Sequence, residues 1–172
     1  YTERFDADII WIGYGSLTYS LPNRLNPGQS LHELQISFEI SSECPEFNED
    51  YPSDIHFSIN DVPLGKWISP GDYGARRGII SPYWWPELLN QYGLLKSLII
   101  NESGTFIDGT LRISKTNIQD LHIDHNSSIS FTFSVPQDTA NCGGLTLFGE
   151  NFGDYSQAIR VKAYYEDSGR ES

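Results

Sequence analysis

Apolar and polar residues alternate with a period of two over several segments, and this pattern restricts the possible folds more than any other feature of the sequence. It is clearest in residues 34–41, and it recurs in residues 54–59, 128–135 and 158–165. Successive side chains of a β-strand point to opposite faces, so each segment is predicted to be a strand with one buried face. The predicted inward-facing side chains of the first three segments are Leu34, Ile36, Phe38, Ile40, Ile55, Phe57, Ile59, Ile129, Phe131, Phe133 and Val135.

Short turn sequences separate the predicted strands. Hairpins are predicted around Asn60-Asp61 and around Ser103-Gly104, and residues 93–100 predict a more fully buried strand. Helical periodicity persists for no more than about one turn. Many short strands joined by turns and long loops predict an all-β fold, an antiparallel two-sheet sandwich of jelly-roll type, similar to carbohydrate-binding modules. Because no linker divides the chain, residues 1–172 are predicted to form a single domain.

The charge balance is strongly acidic, with 23 acidic and 11 basic residues and a net charge of −12. Such a chain repels the phosphate backbone, so we do not expect it to bind nucleic acid by itself. No segment approaches the ~20 apolar residues that span a bilayer, and Cys44 and Cys142 lack the spacing of a zinc site. We therefore expect a cytoplasmic protein with two free thiols and no membrane contact. The chain lacks Met and starts at Tyr1, so we also expect it to be a piece of a longer protein.

Sequence signatures of catalysis are missing. The chain has no nucleophile-elbow, zinc-protease, phosphate-loop or dinucleotide-binding motif. A glycosidase on a β-sandwich needs two carboxylates that face each other across a groove, and the predicted outer faces offer Glu33 and Glu39. The alternating pattern predicts that both are solvated. We expect a protein that is not an enzyme and that uses no cofactor.

An acidic segment between two predicted strands raises the question of a metal site. Hard oxygen ligands of this kind suit calcium, but their spacing fits no defined calcium loop. A solvated acidic loop is therefore the favoured interpretation, with no metal, and calcium binding is the alternative. The segment contains Glu43, Glu46, Asn48, Glu49, Asp50 and Asp54.

Residues 69–86 form the segment with the strongest functional signal, because they place large aromatic side chains among glycine and proline. Stacking faces and charged hydrogen-bonding groups are what sugar recognition uses, and protein interfaces use the same residue types. Three roles stay open: a plug over the core, a docking surface for a partner, or a wall that holds a ligand. A second glycine-rich segment, residues 141–155, is a candidate for the opposite rim. The predicted ligand-binding residues are Trp67, Asp72, Arg76, Arg77, Tyr83, Trp84, Trp85 and Tyr92.

Residues 51–109 and 141–166 contain a combination of motifs that is more specific than any one of them. The motifs are Pro-Ser-Asp-Ile, Leu-Gly-x-Trp, Ser-Pro-Gly-Asp-Tyr-Gly and Trp-Trp-Pro-Glu. In this combination, residues 31–166 resemble the C-terminal region of bacterial transcriptional regulators whose N-terminal part is an ArsR-type winged helix-turn-helix. The resemblance implies a cytoplasmic effector or dimerisation domain without its DNA-binding part. No DNA-contacting or ligand-binding residue is carried over from it.

Together these features predict a non-catalytic effector-sensing domain of a transcriptional regulator. The expected ligand is a small sugar or polyol, the expected assembly is a homodimer, and DNA is bound only through a domain outside this sequence. Two alternatives stay open. One is a stand-alone or extracellular carbohydrate-binding module, and the other is a purely structural dimerisation domain.

Overall fold

The computed structural model describes residues 8–167, and their regular structure is almost entirely β-strand. A short 3-10 helix, Gln119–Leu121, lies between two of the strands. The strands are β1 (Ile9–Ile12), β2 (Gly15–Leu21), β3 (Gln29–Ser41), β4 (Ser53–Ile59), β5 (Val62–Ser69), β6 (Leu94–Asn101), β7 (Gly104–Ile107), β8 (Leu111–Ser114), β9 (Ile129–Val135), β10 (Leu145–Phe148) and β11 (Arg160–Asp167).

The strands form two antiparallel sheets with the strand order of a jelly roll. The larger sheet follows the order β1-β10-β3-β6-β7-β8, with β11 also paired to β3, and the smaller sheet follows β2-β9-β4-β5. Early and late strands of the chain therefore lie side by side in both sheets, as double Greek-key folds require. The all-β sandwich of jelly-roll type predicted from the alternation is confirmed.

The core lies between the inner faces of the two sheets. Four phenylalanines meet at its centre, where the ring centroids of Phe38 and Phe133 are 4.9 Å apart and those of Phe131 and Phe133 are 4.7 Å apart. Phe57 stacks on Phe131 at 6.2 Å. Truncating a buried phenylalanine to alanine typically costs about 3 to 5 kcal/mol, so these rings hold the sheets together. All of the predicted inward-facing residues of residues 34–41, 54–59 and 128–135 are buried here.

The hairpin predicted at Asn60-Asp61 is confirmed, because both residues have positive φ, 48° and 64°, as a two-residue type I′ turn requires. The strand predicted at residues 93–100 is present as β6, but the prediction that it is more fully buried than the other strands is wrong. In β6 only alternate residues such as Leu98 and Ile100 reach the core, while Leu95 faces the outer side and is partly exposed. Within residues 8–167, no helix has the length and hydropathy needed to cross a membrane.

One edge of β3 is shared by two strands, and this arrangement positions the candidate site. β10 pairs with the end of β3, with Phe148 opposite Glu39, and β11 pairs with the rest, starting with Arg160 opposite Ser37. Residues 149–159 therefore leave the sheet and return to it two positions further along β3. We call this segment the excursion. It packs over the outer face of the larger sheet together with the long loop between β5 and β6, residues 70–93.

Candidate functional site

Glu39 anchors both loops to the sheet. The alternating pattern predicts a solvated outward-facing carboxylate, and that prediction is wrong, since Glu39 is fully buried. Its carboxylate accepts backbone N–H bonds from Gly93 at 2.9 Å, Asp154 at 2.9 Å and Tyr155 at 3.0 Å. Burial raises the pKa of Glu39, and the three N–H donors oppose that effect. Around Glu39, the outer face of the larger sheet is therefore buried beneath the two loops.

Arg76 joins the long loop to the excursion. Its guanidinium donates two hydrogen bonds to the carboxylate of Asp154, at 2.9 and 2.6 Å. It also lies 3.7 Å from the centre of the Tyr92 ring, and Tyr92 in turn stacks on Tyr73 at 5.3 Å. Burial would raise the pKa of Asp154, but the hydrogen bonds from Arg76 and from the Ile79 backbone hold it below its usual value. Arg76 and Tyr92, both predicted ligand residues, thus meet in a contact that fixes the loop.

Arg77 shapes the aromatic segment from within. Its guanidinium donates to the carbonyl oxygens of Pro82 at 3.0 Å and Trp85 at 3.1 Å. The amide of Gln91 donates to the carbonyls of Pro86 and Leu89, both at 2.7 Å. These bonds satisfy carbonyl groups that a helix or strand would otherwise satisfy, so an irregular segment holds a defined shape.

Four aromatic side chains form what we call the tryptophan cluster, which consists of Trp11, Trp84, Trp85 and Phe152. Trp85 is central to it, at 6.3 Å from Trp11, 6.1 Å from Trp84 and 4.9 Å from Phe152 between ring centroids. Trp84 also contacts Phe152 at 6.1 Å. The excursion therefore meets the aromatic segment through Phe152, which is buried against the indoles.

Exposure divides the two neighbouring indoles into different roles. Trp84 is 63% exposed and Tyr83 is 90% exposed, whereas Phe152 beneath them is only 6% exposed. Trp85 is partly buried and its indole N–H donates to the Asn90 carbonyl at 3.0 Å. Trp85 is thus the anchor of the cluster, and Trp84 is mostly exposed to solvent while it contacts Trp85 and Phe152.

Trp11 is a member of the cluster that the sequence analysis missed. It lies on β1, where it pairs with Thr146 of β10, and it is 49% exposed on the outer face of the larger sheet. Ile9 and Trp11 lie on one face of β1 and Ile10 and Ile12 on the other, but all four are apolar. An all-apolar segment hides that alternation because both faces look buried.

A cavity of about 110 Å³ lies beside the cluster. The carboxylate of Glu43 lines it and accepts hydrogen bonds from the Asn90 amide at 2.5 Å and the Thr146 hydroxyl at 2.9 Å. Burial raises the pKa of Glu43, while these two hydrogen bonds lower it. The cavity is lined by Trp11, Glu43, Cys44, Pro45, Glu46, Trp85, Leu89 and Asn90.

Two predicted ligand residues lie inside the protein, away from the exposed aromatics. Trp67 is 8% exposed and belongs to the core, with the ammonium of Lys96 5.4 Å from its ring. Asp72 is fully buried, and its Oδ2 accepts hydrogen bonds from the Cys44 backbone N–H at 3.1 Å and the Cys44 thiol at 3.7 Å. Burial raises the pKa of Asp72 to about 6, against the Cys44 N–H bond and with a further increase from the charge of Glu43.

The acidic segment at residues 43–54 does not converge on one point. Glu43 turns toward the cavity, while Asp54 binds Lys66 at 3.3 Å, Thr139 at 2.7 Å and Asn141 at 2.9 Å. Burial alone would raise the pKa of Asp54, but these hydrogen bonds lower it to about 2. Across residues 8–167, no three Asp, Glu, His or Cys side chains are grouped closely enough to hold a metal ion. Cys44 is buried, Cys142 is exposed, and both are free thiols.

Compared with models of known protein families and with curated proteins, the chain matches none. The resemblance to ArsR-type regulators therefore stays a prediction from the sequence motifs. The geometry of the tryptophan cluster is the structural evidence that bears on function.

Proposed function

We propose that this jelly roll is a non-catalytic binding domain that recognises a small sugar or polyol at the tryptophan cluster. The observation that carries the proposal is the state of Trp84, whose indole is mostly exposed although it makes T-shaped contacts with Trp85 and Phe152. An exposed ring that is already fixed loses little conformational entropy when a ligand stacks on it. The apolar face of a pyranose ring is the natural partner of such a surface.

The phenol of Tyr83, next to Trp84 in the chain, is the polar group proposed to hydrogen-bond the sugar. Tyr83 presents its phenol to solvent, and Arg76 is exposed even though its guanidinium is bound to Asp154. Arg76 and Arg77 contribute chiefly by holding the loop in place, since their donors already bind protein oxygens. The proposed contact residues are therefore Tyr83 and Trp84, with Trp85 and Tyr92 as supports.

The proposal places this binding domain in a cytoplasmic transcriptional regulator, as the resemblance to ArsR-type proteins implies. Sugar binding would regulate a homodimer only if the ligand has different affinities for two arrangements of its winged helices. The test is DNA binding by the full-length protein with and without the sugar. A full-length chain that carries a glycosidase domain or a signal peptide, with no winged helix, would instead favour the carbohydrate-binding module.

The binding proposal is tested with a panel of small sugars, read by tryptophan fluorescence and by the indole N–H signals in NMR. Trp84→Ala is expected to weaken binding about tenfold or more and to leave the unfolding midpoint nearly unchanged. Trp85→Ala is expected to lower the stability by about 3 kcal/mol, because it removes the anchor of the cluster. Tyr164→Ala is the matched control, since Tyr164 is exposed on β11 at the far end of the sheet.

Sugar binding by Trp84→Ala that equals binding by the wild type would contradict the proposal. The structural alternative has its own readout in the same variants. If no sugar binds, and if sedimentation shows a dimer that dissociates in Trp84→Ala, the exposed aromatics are a dimer interface and the domain is structural.

A further inference from the structure

The cavity beside the tryptophan cluster is too small for a sugar ring. Its volume of about 110 Å³ is well below the roughly 300 to 1,000 Å³ of pockets that enclose a whole small-molecule ligand. It therefore fits one small substituent, while a ring stacked on Trp84 would stay outside. The adjacency of Trp84 to Trp85, 6.1 Å between centroids, lets one ligand reach both places.

The charge around the cavity is negative and unbalanced. Glu43 and Glu46 line it, and within the described chain no Lys, Arg or His does. Both side-chain hydrogen bonds of Glu43 in residues 8–167 end on Oε2, so Oε1 keeps its capacity to accept another. A partly desolvated carboxylate without a cation gains much from a positively charged ligand.

A third carboxylate lies behind the cavity wall. Cys44 forms part of that wall and donates its backbone N–H to Asp72, which is fully buried. The second oxygen of Asp72, Oδ1, is buried without a hydrogen-bond partner among the described residues. Among the described residues no basic side chain forms an ion pair with Asp72 or Glu43, so an anionic substituent is disfavoured there.

The remaining walls attract cations for a different reason. Trp11 and Trp85 border the cavity with their ring planes inclined at 66° and their centroids 6.3 Å apart. The electron-rich face of an indole attracts a cation, and the attraction increases when the cation is removed from water. Indole rings and carboxylates at the same cavity favour an ammonium group over a neutral hydroxyl or acetamide.

We propose that the cavity bounded by Trp11, Glu43 and Trp85 binds an alkylammonium group, and that the ligand of the tryptophan cluster is an amino sugar. The amino group enters the cavity and donates to Glu43 Oε1, while the sugar ring stacks on Trp84. The amino-sugar part of this proposal rests on the proposed function, whereas the ammonium site can be tested separately.

The sugar test compares three β-1,4-linked disaccharides by calorimetry: those of glucosamine, N-acetylglucosamine and glucose. The wild type is expected to prefer the glucosamine disaccharide by about tenfold over both neutral sugars, from cation–π and carboxylate contacts together. Glu43→Gln keeps an acceptor for Asn90 and Thr146, so it is expected to fold normally and to lose the preference. Glu33→Gln is the control, because Glu33 is also hydrogen-bonded and partly buried but lies far along β3.

The ammonium test uses methylammonium chloride, with sodium chloride as the control for ionic strength. Methylammonium is expected to shift the indole N–H signals of Trp11 and Trp85 in the wild type and not in Glu43→Gln. Equal shifts in both proteins, or no shift that exceeds the sodium chloride control, would overturn the ammonium site.

The two proposals fail in different ways. Trp84-dependent binding with equal affinity for all three sugars would leave the sugar-binding function standing and overturn the ammonium inference. Failure of every sugar, together with a methylammonium shift that needs Glu43, would overturn the sugar-binding function and the amino-sugar assignment while supporting the ammonium site.

Discussion

The outer faces of the two sheets follow the same alternating pattern and have opposite fates. The smaller sheet presents hydroxyl groups that are partly exposed, and two of them, Thr18 and Thr132, are hydrogen-bonded at 2.8 Å. The larger sheet presents Glu39, Ser41 and Thr146, which are completely buried beneath the loops. Alternation therefore tells which residues leave the core, but not whether they reach water. Segments distant in sequence decide whether an outward-facing residue is exposed. The candidate site lies where such segments cover the larger sheet.

The largest expected difference between the two faces concerns their polar side chains. Glu39→Ala leaves three buried backbone N–H groups without an acceptor, and we expect a loss of about 3 to 5 kcal/mol in the free energy of unfolding. Ser134→Ala on the outer face of the smaller sheet is the comparison, with an expected effect within about 0.5 kcal/mol. Urea unfolding measures both. Equal losses in the two variants would mean that the two loops do not need the Glu39 carboxylate to stay packed on the sheet.

The close contact between the excursion and the sheet gives the second prediction. Gly153 has φ of +88°, and a Cβ added there would collide with the Glu39 carboxylate. We expect Gly153→Ala to cost about 2 to 4 kcal/mol, because backbone strain and displacement of a buried charge act together. Gly13→Ala is the control, since a Cβ at Gly13 meets nothing within 4 Å. A neutral Gly153→Ala variant would show that the excursion moves freely from the sheet.

Two buried aspartates, Asp72 and Asp54, are expected to make the stability of the protein depend on pH in opposite directions. Asp72, beneath the loops, has a pKa raised to about 6, first by burial. A raised carboxylate pKa means that the folded state binds the proton more tightly, so stability is expected to increase as pH falls from about 6 to 4, by up to about 3 kcal/mol. Asp72→Asn is expected to remove most of this increase. Thermal unfolding at pH 7 and pH 5 measures it, and an unchanged difference in the variant would contradict the assignment.

Asp54 lies at the start of β4 in the smaller sheet, where Thr139 and Asn141 bind it, and it should behave oppositely. Hydrogen bonds outweigh burial and lower its pKa to about 2, so its contribution is present above about pH 4 and is lost as pH falls toward 2. Asp54→Asn is therefore expected to destabilise the protein at neutral pH and to flatten the acid limb of the stability curve. Unfolding midpoints between pH 4 and pH 2 test this, and a steep acid limb in the variant would contradict it.

The smallest expected effect concerns the bridge between the two loops. Arg76→Lys replaces a two-bond guanidinium contact with a point charge, and Arg76 is half exposed, so we expect a loss of about 1 kcal/mol or less. The more informative readout is NMR relaxation of the Trp84 indole, which should become more mobile than in Lys115→Arg, a charge-conserving control. An indole of unchanged mobility would show that Trp84 is held by ring packing alone.

The sandwich was predictable from sequence because its determinants are local. Residues 34–41 and 128–135 each carry enough alternation to identify a buried face, and positive φ at Asn60 and Asp61 follows from ordinary hairpin chemistry. The exposed role of Trp84 belongs to an irregular loop that has no periodicity, so the sequence left it open. Trp85 differs from Trp84 in the structure because it packs closer to Phe152, at 4.9 Å against 6.1 Å, and because its indole N–H is bound to the Asn90 carbonyl.

The parts that could not be predicted all depend on contacts between distant segments. Glu39 has the pattern of a solvated residue, and its burial depends on partners at Gly93 and Asp154. Asp72 and Trp67 have residue types suited to binding, but Trp67 lies in the core on β5 opposite Ile55, and the position of Asp72 follows from the path of residues 70–93. Glu43 was visible only as one member of an acidic segment, because its aromatic neighbours come from β1 and from Trp85.

The shared edge of β3 has a consequence for how such a domain diversifies. The excursion departs opposite Glu39 and rejoins opposite Ser37, so its two ends are tethered almost side by side on one rigid strand. Insertions or exchanges at its tip need not alter the pairing register of any strand. The excursion can therefore change in sequence or length beside the tryptophan cluster, and so change what binds there, while the two sheets keep their strand pairing.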